Sequence, residues 1–316
     1  MLYRYPHLDY NGENHFITKE VSLMPKINPY AVLIIAVLGV SVSAIFVRFT
    51  VAPPEVVAFY RLLFTLLMTL PMVLGTKRYQ WSKITRRDVL LIFLSALFLA
   101  LHFTTWFASL RLTSVASSTI LVNTQPFFVI LFGLLIFKTP VSRKTLLAVL
   151  CAVFGTLLLS WGDFSLGGTS LYGDALALIG AVFIAIHYLF SSCLRQRLDT
   201  VPYTTLLYGF CALILAVMVP INGASFVGHP PLDYLMCAAL AFFSTILGHT
   251  LFSWCMKYLP ASAVSLSVLG EPVLAAVIAY FLFDESFTFG QLIGSLIVLV
   301  SIFGYLWEEN KQHAPN

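Results

Sequence analysis

Residues 121–130 read LVNTQPFFVI, a run in which Asn123, Gln125 and Pro126 interrupt the middle of a long apolar stretch. The same interruption returns 146 positions later as SVLGEPVLAA, residues 267–276. Extending the comparison lays Ser109–Ala148 over Cys255–Gly294. It puts Arg111 on Lys257, Gln125-Pro126 on Glu271-Pro272 and Phe137 on Phe283, and it continues without a gap to Trp161 on Trp307. A repeat of this kind sets the architecture.

Of the 316 residues, 59% are hydrophobic and only 10% charged, and the mean hydropathy is strongly positive. Soluble domains do not have this composition. A bilayer core about 30 Å thick needs roughly 20 apolar residues per helix. Ten such stretches are expected, near 30–50, 56–76, 88–109, 114–137, 142–161, 171–193, 200–221, 232–256, 261–283 and 287–307. The fold class is therefore all-α and integral to the membrane, with ten transmembrane helices. Residues 30–161 form a first five-helix unit and residues 171–307 a second. Because five is odd, the second unit enters the membrane from the opposite side, so the repeats are inverted. Two copies that can exchange conformations are the physical basis of alternating access, with a solute site near the midplane between them.

Lys and Arg in short loops fix the orientation. Lys77, Arg78, Lys83, Arg86, Arg87, Lys138, Arg143, Lys144, Arg195, Arg197 and Lys257 all fall on one side, whereas the other side carries only Arg48 and Arg111. Both termini are expected to be cytoplasmic, in the cell (inner or plasma) membrane. Residues 1–29 are polar and lack the apolar core of a cleavable signal, so they read as a disordered cytoplasmic tail, and residues 308–316 as a second tail. Met24, in LMPKINPYAVLI, leaves open whether Met1 or Met24 is the start.

The loops are too short for a soluble catalytic domain, and no GxxxxGK[ST] loop is present to serve an ATP-driven pump. An intramembrane enzyme would need a nucleophile beside a base, but the sequence has no GxSxG elbow and no HExxH motif. The five cysteines stand singly and read as small buried residues. No metal, cofactor or nucleic-acid partner is implied; the expected partners are the lipid bilayer and a small-molecule substrate.

Several residues are candidates for the site. Glu271 lies near the bilayer centre, where an ionised acid costs roughly 2.5 to 3.5 kcal/mol. Such a group either binds a substrate amine or a proton, which makes protons the candidate coupling ion, or stays neutral and bonded to a helix neighbour. Pro126 and Pro272 each lack an N–H, depriving the Val122 and Val268 carbonyls of a helical donor, so both are expected to kink helices that line a wet cavity. Asn123, Gln125, Ser117 and Ser265 add polar atoms to those walls. Tyr60 and Trp106, with Phe46, Phe59, Phe103 and Phe127, suggest an aromatic lining suited to a solute with apolar and polar parts. Arg61 lies about 8 Å into the second span; it either snorkels or faces the cavity as a carboxylate anchor or counter-charge to Glu271. His102, His187 and His249 read as packing histidines, with a relay role open for His102 and His249. Gly290-x-x-x-Gly294 reads as a close-packing motif, within one chain or at a dimer face. The oligomeric state stays open between monomer and homodimer.

The segments VSAIFVRF (42–49), PPEVVAFYRLLF (53–64), TWFASLRLTSVASSTILVNTQPFF (105–128) and SWCMKYLPASAVSLSVLGEPVLAAVIAYFLFDES (253–286) resemble the drug/metabolite transporter superfamily, specifically the EamA-type ten-helix bacterial permeases. The resemblance covers about residues 26 to 307 and favours a cavity-facing role for Arg61. One departure is Lys138-Thr139-Pro140, where the family carries an acidic turn that the second copy keeps as Asp284-Glu285. The expected function is a secondary-active transporter, an exporter of small amphipathic metabolites such as amino acids or of drug-like compounds. The alternative is a non-coupled channel or facilitator.

Overall fold

A computed structural model describes residues 4–8, 14–18, 27–113, 115–138, 142–159, 169–274, 277 and 289–313. Trp161, Thr139-Pro140 and Asp284-Glu285 lie outside them. The polar N-terminal segment, read as a disordered tail, carries two short antiparallel strands, β1 (Arg4–Leu8) and β2 (Asn14–Thr18), with Tyr5 opposite Ile17. Every other described element is helical.

The first span is α1 (Pro29–Ser41) continued by α2 (Ser43–Arg48). Asn28 starts it by accepting a hydrogen bond from the Tyr30 N–H at 2.9 Å, ahead of Pro29, whose missing donor costs nothing in a first turn. α3 (Pro54–Leu74) is the second span, and the short α4 (Arg78–Ser82) follows it. α5 (Arg86–Leu112) opens with a reciprocal cap, in which Thr85 N–H donates to the Asp88 carboxylate at 2.8 Å and Asp88 N–H donates back to Thr85 Oγ1. Then come α6 (Val115–Val122), α7 (Gln125–Phe137), α8 (Arg143–Leu159), α9 (Thr169–Arg195) and α10 (Thr200–Ile221). The eighth span runs through α11 (Pro231–Ala239), a π-helical segment (Leu240–Thr250) and α12 (Leu251–Cys255). α13 (Ala261–Val268) and a helical turn at 271–274 make up the described part of the ninth span, and α14 (Phe289–His313) is the tenth.

Seven of these spans are long and apolar enough to cross a bilayer. The 17-residue α8, the short apolar stretch Ala261–Leu274 and the apolar part of α14, Leu292–Trp307, supply the fifth, ninth and tenth. The fourth and ninth spans break, where kinks were expected. α6 ends at Val122, Asn123 and Thr124 turn, and α7 restarts at Gln125 with Pro126 in its first turn. Adding 146 to the ends of α6 gives the ends of α13, and the turn at Leu269 and Gly270 corresponds to that at Asn123 and Thr124. Proline sets both breaks because it cannot donate to the carbonyl four residues back.

The contacts respect the same symmetry. α5 packs along α9, and α1 along the π segment, so spans three and six repeat as eight and one. α3 packs on α10 and α8 on α14, joining each span to its own counterpart. Glycines permit these approaches. A Cβ on Gly39 would stand 2.7 Å from the Phe243 carbonyl oxygen, and one on Gly155 would stand 2.9 Å from the Gly294 carbonyl. Gly294 therefore serves a contact inside the chain, which settles its half of the Gly290-x-x-x-Gly294 motif as intramolecular.

A side chain at Gly39 must displace backbone. Gly39→Val is expected to cost about 1–3 kcal/mol and to lower the melting temperature in detergent. Gly304→Ala, whose Cβ meets nothing within 4 Å, is expected to leave it unchanged. Equal melting of the two variants would refute the close α1 contact.

Candidate functional site

The two helix breaks contribute to one central cavity of about 40 Å³. The first repeat contributes Asn123 and Gln125 from its break, with His102 and Trp106 from α5 and Ser43 from α2; the second contributes Glu271 from its break, His249 from the π segment and Tyr188 from α9. Pockets that hold organic ligands measure about 300–1,000 Å³. This one has room for a few waters, too little for an organic solute in the described arrangement.

Its walls are rich in unsatisfied polar atoms. Among the described residues, ten buried side-chain N or O atoms lack a hydrogen-bond partner, and five of them are in cavity residues: Ser43 Oγ, Trp106 Nε1, Asn123 Nδ2, Gln125 Oε1 and His249 Nδ1. Both donors and acceptors are on offer, from both repeats. The Asn123 amide lies beside the Glu271 carboxyl, but Nδ2 does not reach hydrogen-bonding geometry with it. His102 is oriented by a 3.0 Å hydrogen bond from Nδ1 to the Gly180 carbonyl and by stacking on Trp106 at 5.8 Å. A carbonyl can only accept, so Nδ1 carries the proton and Nε2 keeps its lone pair when the ring is neutral.

Arg61 is fully buried just outside the cavity wall. Its Nε donates to Thr245 Oγ1 in the π segment at 2.7 Å, and its Cζ lies 4.3 Å from the centre of the Phe103 ring. Nη1 and Nη2 have no partner. Phe103 meets His249 edge-on at 5.4 Å, so an aromatic layer separates the guanidinium from the cavity. Arg61 does not snorkel.

The remaining candidates lie elsewhere. Tyr60 donates to the Phe226 carbonyl at 2.9 Å and packs on Tyr234, beneath the loop between α10 and α11. Ser117 donates to Asp174 at 2.7 Å, and Ser265 donates to the Ser262 carbonyl in its own helix. Phe127 is 42% exposed on the outer surface. Of the six proposed aromatics, only Trp106 lines the cavity. Tyr188 and Ser43 were missed, since one aromatic and one serine in apolar spans carry no distinguishing signal.

Polar contacts join the spans at both ends of the bundle, and at the end that carries Arg48 and Arg111 a second cavity of about 330 Å³ lies among Val47, Thr50, Val51 and Leu110. At the Lys/Arg-rich end, Asp199 pairs with Lys83 at 3.4 Å and Lys257 at 3.7 Å, and Asp88 pairs with Arg197. At the other end, Asp233 accepts from the Val51 and Ala52 N–H groups, and Arg111 donates to the Ala52 carbonyl.

A buried guanidinium with two idle nitrogens is costly to folding. Arg61→Met is thus expected to hold or raise the melting temperature. A fall of several degrees would show that hidden bonds satisfy the side chain.

Comparison with known proteins agrees with this architecture. The model of the EamA-like transporter family matches residues 28–161 and again 171–307. An uncharacterized transporter of Archaeoglobus fulgidus is 28% identical over 279 residues, 88% of this chain and 96% of the relative. One from Methanothermobacter thermautotrophicus is 26% identical over 234 residues, 72% of this chain and 67% of that protein. A crystal structure with 17% sequence identity superposes with a TM-score of 0.71 over 90% of this chain and 99% of its own, a likeness of fold. With a duplicated family match, a ten-span inverted fold and a polar cavity between the halves, this chain is a membrane transporter of the EamA-like family.

Proposed function

We propose that the protein is a secondary-active carrier, an exporter of small amphipathic metabolites such as amino acids or drug-like compounds, working by alternating access between its inverted repeats. The observation that carries this reading is the concentration of unpaired donors and acceptors from both halves around one central cavity. Such atoms are expensive to leave bare, each costing about 1–3 kcal/mol. A solute that replaces their missing partners stabilises the occluded state, while the apolar remainder, including Val40, Ile184 and Phe252, suits its hydrophobic part.

Glu271 is the proposed proton or amine site. Its carboxyl sits in the wall with Asn123 near it and with the Arg61 charge behind Phe103, so its protonation changes the net charge of the interior by one unit. A proton and an amine then compete for the same oxygens, which is the simplest coupling a carrier can have. Arg61 is the counter-charge; its idle nitrogens become a carboxylate anchor only if Phe103 moves. The Lys/Arg-rich loops point to cytoplasmic termini in the cell membrane. A permanently open channel fits poorly with a central cavity this small.

Counterflow in proteoliposomes, run over a panel of amino acids and lipophilic cations with and without a pH gradient, tests the reading. Accumulation of at least one compound against its gradient is expected, driven by pH. Glu271→Gln is expected to abolish the pH response while preserving the fold. A variant with unaltered rate and pH profile would remove Glu271 from the mechanism, and flux that never exceeds equilibration would favour a facilitator.

A further inference from the structure

The second cavity has two cations in its wall and nothing to neutralise them. We propose that it is an anion site for an amphipathic molecule, in which the Arg48 and Arg111 guanidiniums hold a carboxylate or phosphate head and Val47, Val51 and Leu110 meet its apolar tail. The site shares no lining residue with the central cavity and does not depend on the role proposed for Glu271.

At about 330 Å³ the cavity falls inside the range of about 300–1,000 Å³ for pockets that hold organic ligands. Its wall comes from the end of the first span, the loop after it and the end of α5. Arg48 is the last residue of α2, and its Nη1 donates to the Leu110 carbonyl at 2.5 Å. Arg111 Nη2 donates to the Ala52 carbonyl. Each guanidinium is thus pinned by one backbone bond. Among the described residues neither makes another hydrogen bond, and neither lies within 4.0 Å of a carboxylate oxygen. Asp233 and Glu55 act on Arg111 only at longer range, and their oxygens already accept from Val51, Ala52 and Asn222. The rest of the wall has no donor to give. Thr50 spends its hydroxyl hydrogen on the Val47 carbonyl at 2.7 Å, and the Val51 N–H is taken by Asp233. The donors that remain are guanidinium N–H groups, which select an anion.

The other half of the molecule shows what a satisfied version looks like. α3 follows its cap residue Pro53 and α10 follows its cap residue Asp199, so the two caps correspond, at the same spacing that puts Arg111 on Lys257. At the Lys/Arg-rich end Lys257 pairs with Asp199 at 3.7 Å. At the opposite end the partner's position is a proline, so Arg111 has no such carboxylate. Arg195 ends α9 as Arg48 ends α2, yet Arg195 spends Nε, Nη1 and Nη2 on Ser253, Leu198 and Thr200. The chain therefore leaves a pair of cations short of partners at one end, and that is the end with the cavity.

A guanidinium is a planar fork that matches a carboxylate or phosphate through parallel N–H bonds, and a fork already pinned to backbone has less freedom to lose on binding. Val47 and Leu110 are buried behind the arginines, whereas Val51 is 70% exposed, so the cavity reaches the surface at an apolar residue. An anion without a tail would forgo these contacts. The ligand chemistry is therefore an anionic head on an apolar chain. A free carboxylate solute has it, and so does an anionic lipid of the leaflet on this side.

The test uses the full chain in phosphatidylcholine nanodiscs, with radiolabelled octanoate as probe and empty nanodiscs as blank. Saturable octanoate binding is expected, with octanol competing roughly tenfold more weakly or worse, the low end of what charge-assisted hydrogen bonds supply. Equal competition by octanol would overturn the anion site without any variant. Arg48→Gln and Arg111→Gln are each expected to weaken octanoate binding by roughly tenfold, whereas Arg87→Gln, at the other end of the bundle, leaves it unchanged. Melting temperatures verify the fold. Should a glutamine variant unfold, Arg48→Lys and Arg111→Lys, which keep the charge and lose the fork, are expected to bind more weakly than the wild type. Wild-type affinity in every variant would overturn the site. Replacing part of the phosphatidylcholine by phosphatidylglycerol then distinguishes the two sources. Loss of octanoate binding, with phosphatidylglycerol retained in native mass spectrometry by the wild type and not by the doubly substituted Arg48→Gln, Arg111→Gln chain, assigns the site to a lipid headgroup. Undiminished octanoate binding assigns it to a free solute. A wild type that holds neither compound would refute the proposal.

Discussion

In hydrocarbon a peptide group has no water to turn to, and each unsatisfied N–H or carbonyl costs several kcal/mol. Pro126 and Pro272 remove a donor at the midplane of two symmetry-related spans, so the backbone around them has to face protein or a wet interior. That constraint arranges the rest. The breaks at 123–124 and 269–270 contribute to one central cavity, α7 packs on α13, and spans one, three, six and eight close around them. α8 and α14 pair with one another, held close by Gly155 and Gly294, and contribute nothing to the cavity wall.

What the interior gives up in stability is visible atom by atom. Bare polar atoms in the cavity and two idle guanidinium nitrogens all count against folding. Opposing them are close helix contacts at glycines, aromatic layers such as Phe103 over Arg61, and polar contacts at both ends. Those contacts differ in kind: ion pairs between side chains at one end, carboxylate and guanidinium bonds to backbone at the other. Ion pairs between partly exposed groups weaken with salt, whereas bonds to buried backbone are screened far less. The two ends therefore answer differently to their surroundings.

Depth was easier to read from the sequence than direction. The ten spans follow from hydropathy, and the shift of 146 fixes both breaks to the residue. Glu271, Asn123 and Gln125 meet because they flank those breaks, and Trp106 joins them on α5. Ser117 and Ser265 each lie six residues before Asn123 and Glu271 respectively, about 240° round a regular helix, and turn away. Tyr60 neighbours Arg61 in the chain and so points to another side, into the aromatic cluster at the bundle end. Nothing in LAFFSTILGHT announces a π-helix; in the fold this stretch packs along the first span, and its Thr245 accepts from Arg61. The hairpin in the polar tail likewise leaves no hydrophobic alternation strong enough to predict it.

The π-helical winding bears on the proposed alternation of the two halves. Its counterpart in the first half, the middle of α5, is an ordinary α-helix, so the two halves do not have interchangeable shapes. In a carrier of the proposed kind, the energy needed to wind or unwind that stretch would favour one posture of the empty protein, giving it a preferred resting side and a return stroke unlike its outward one.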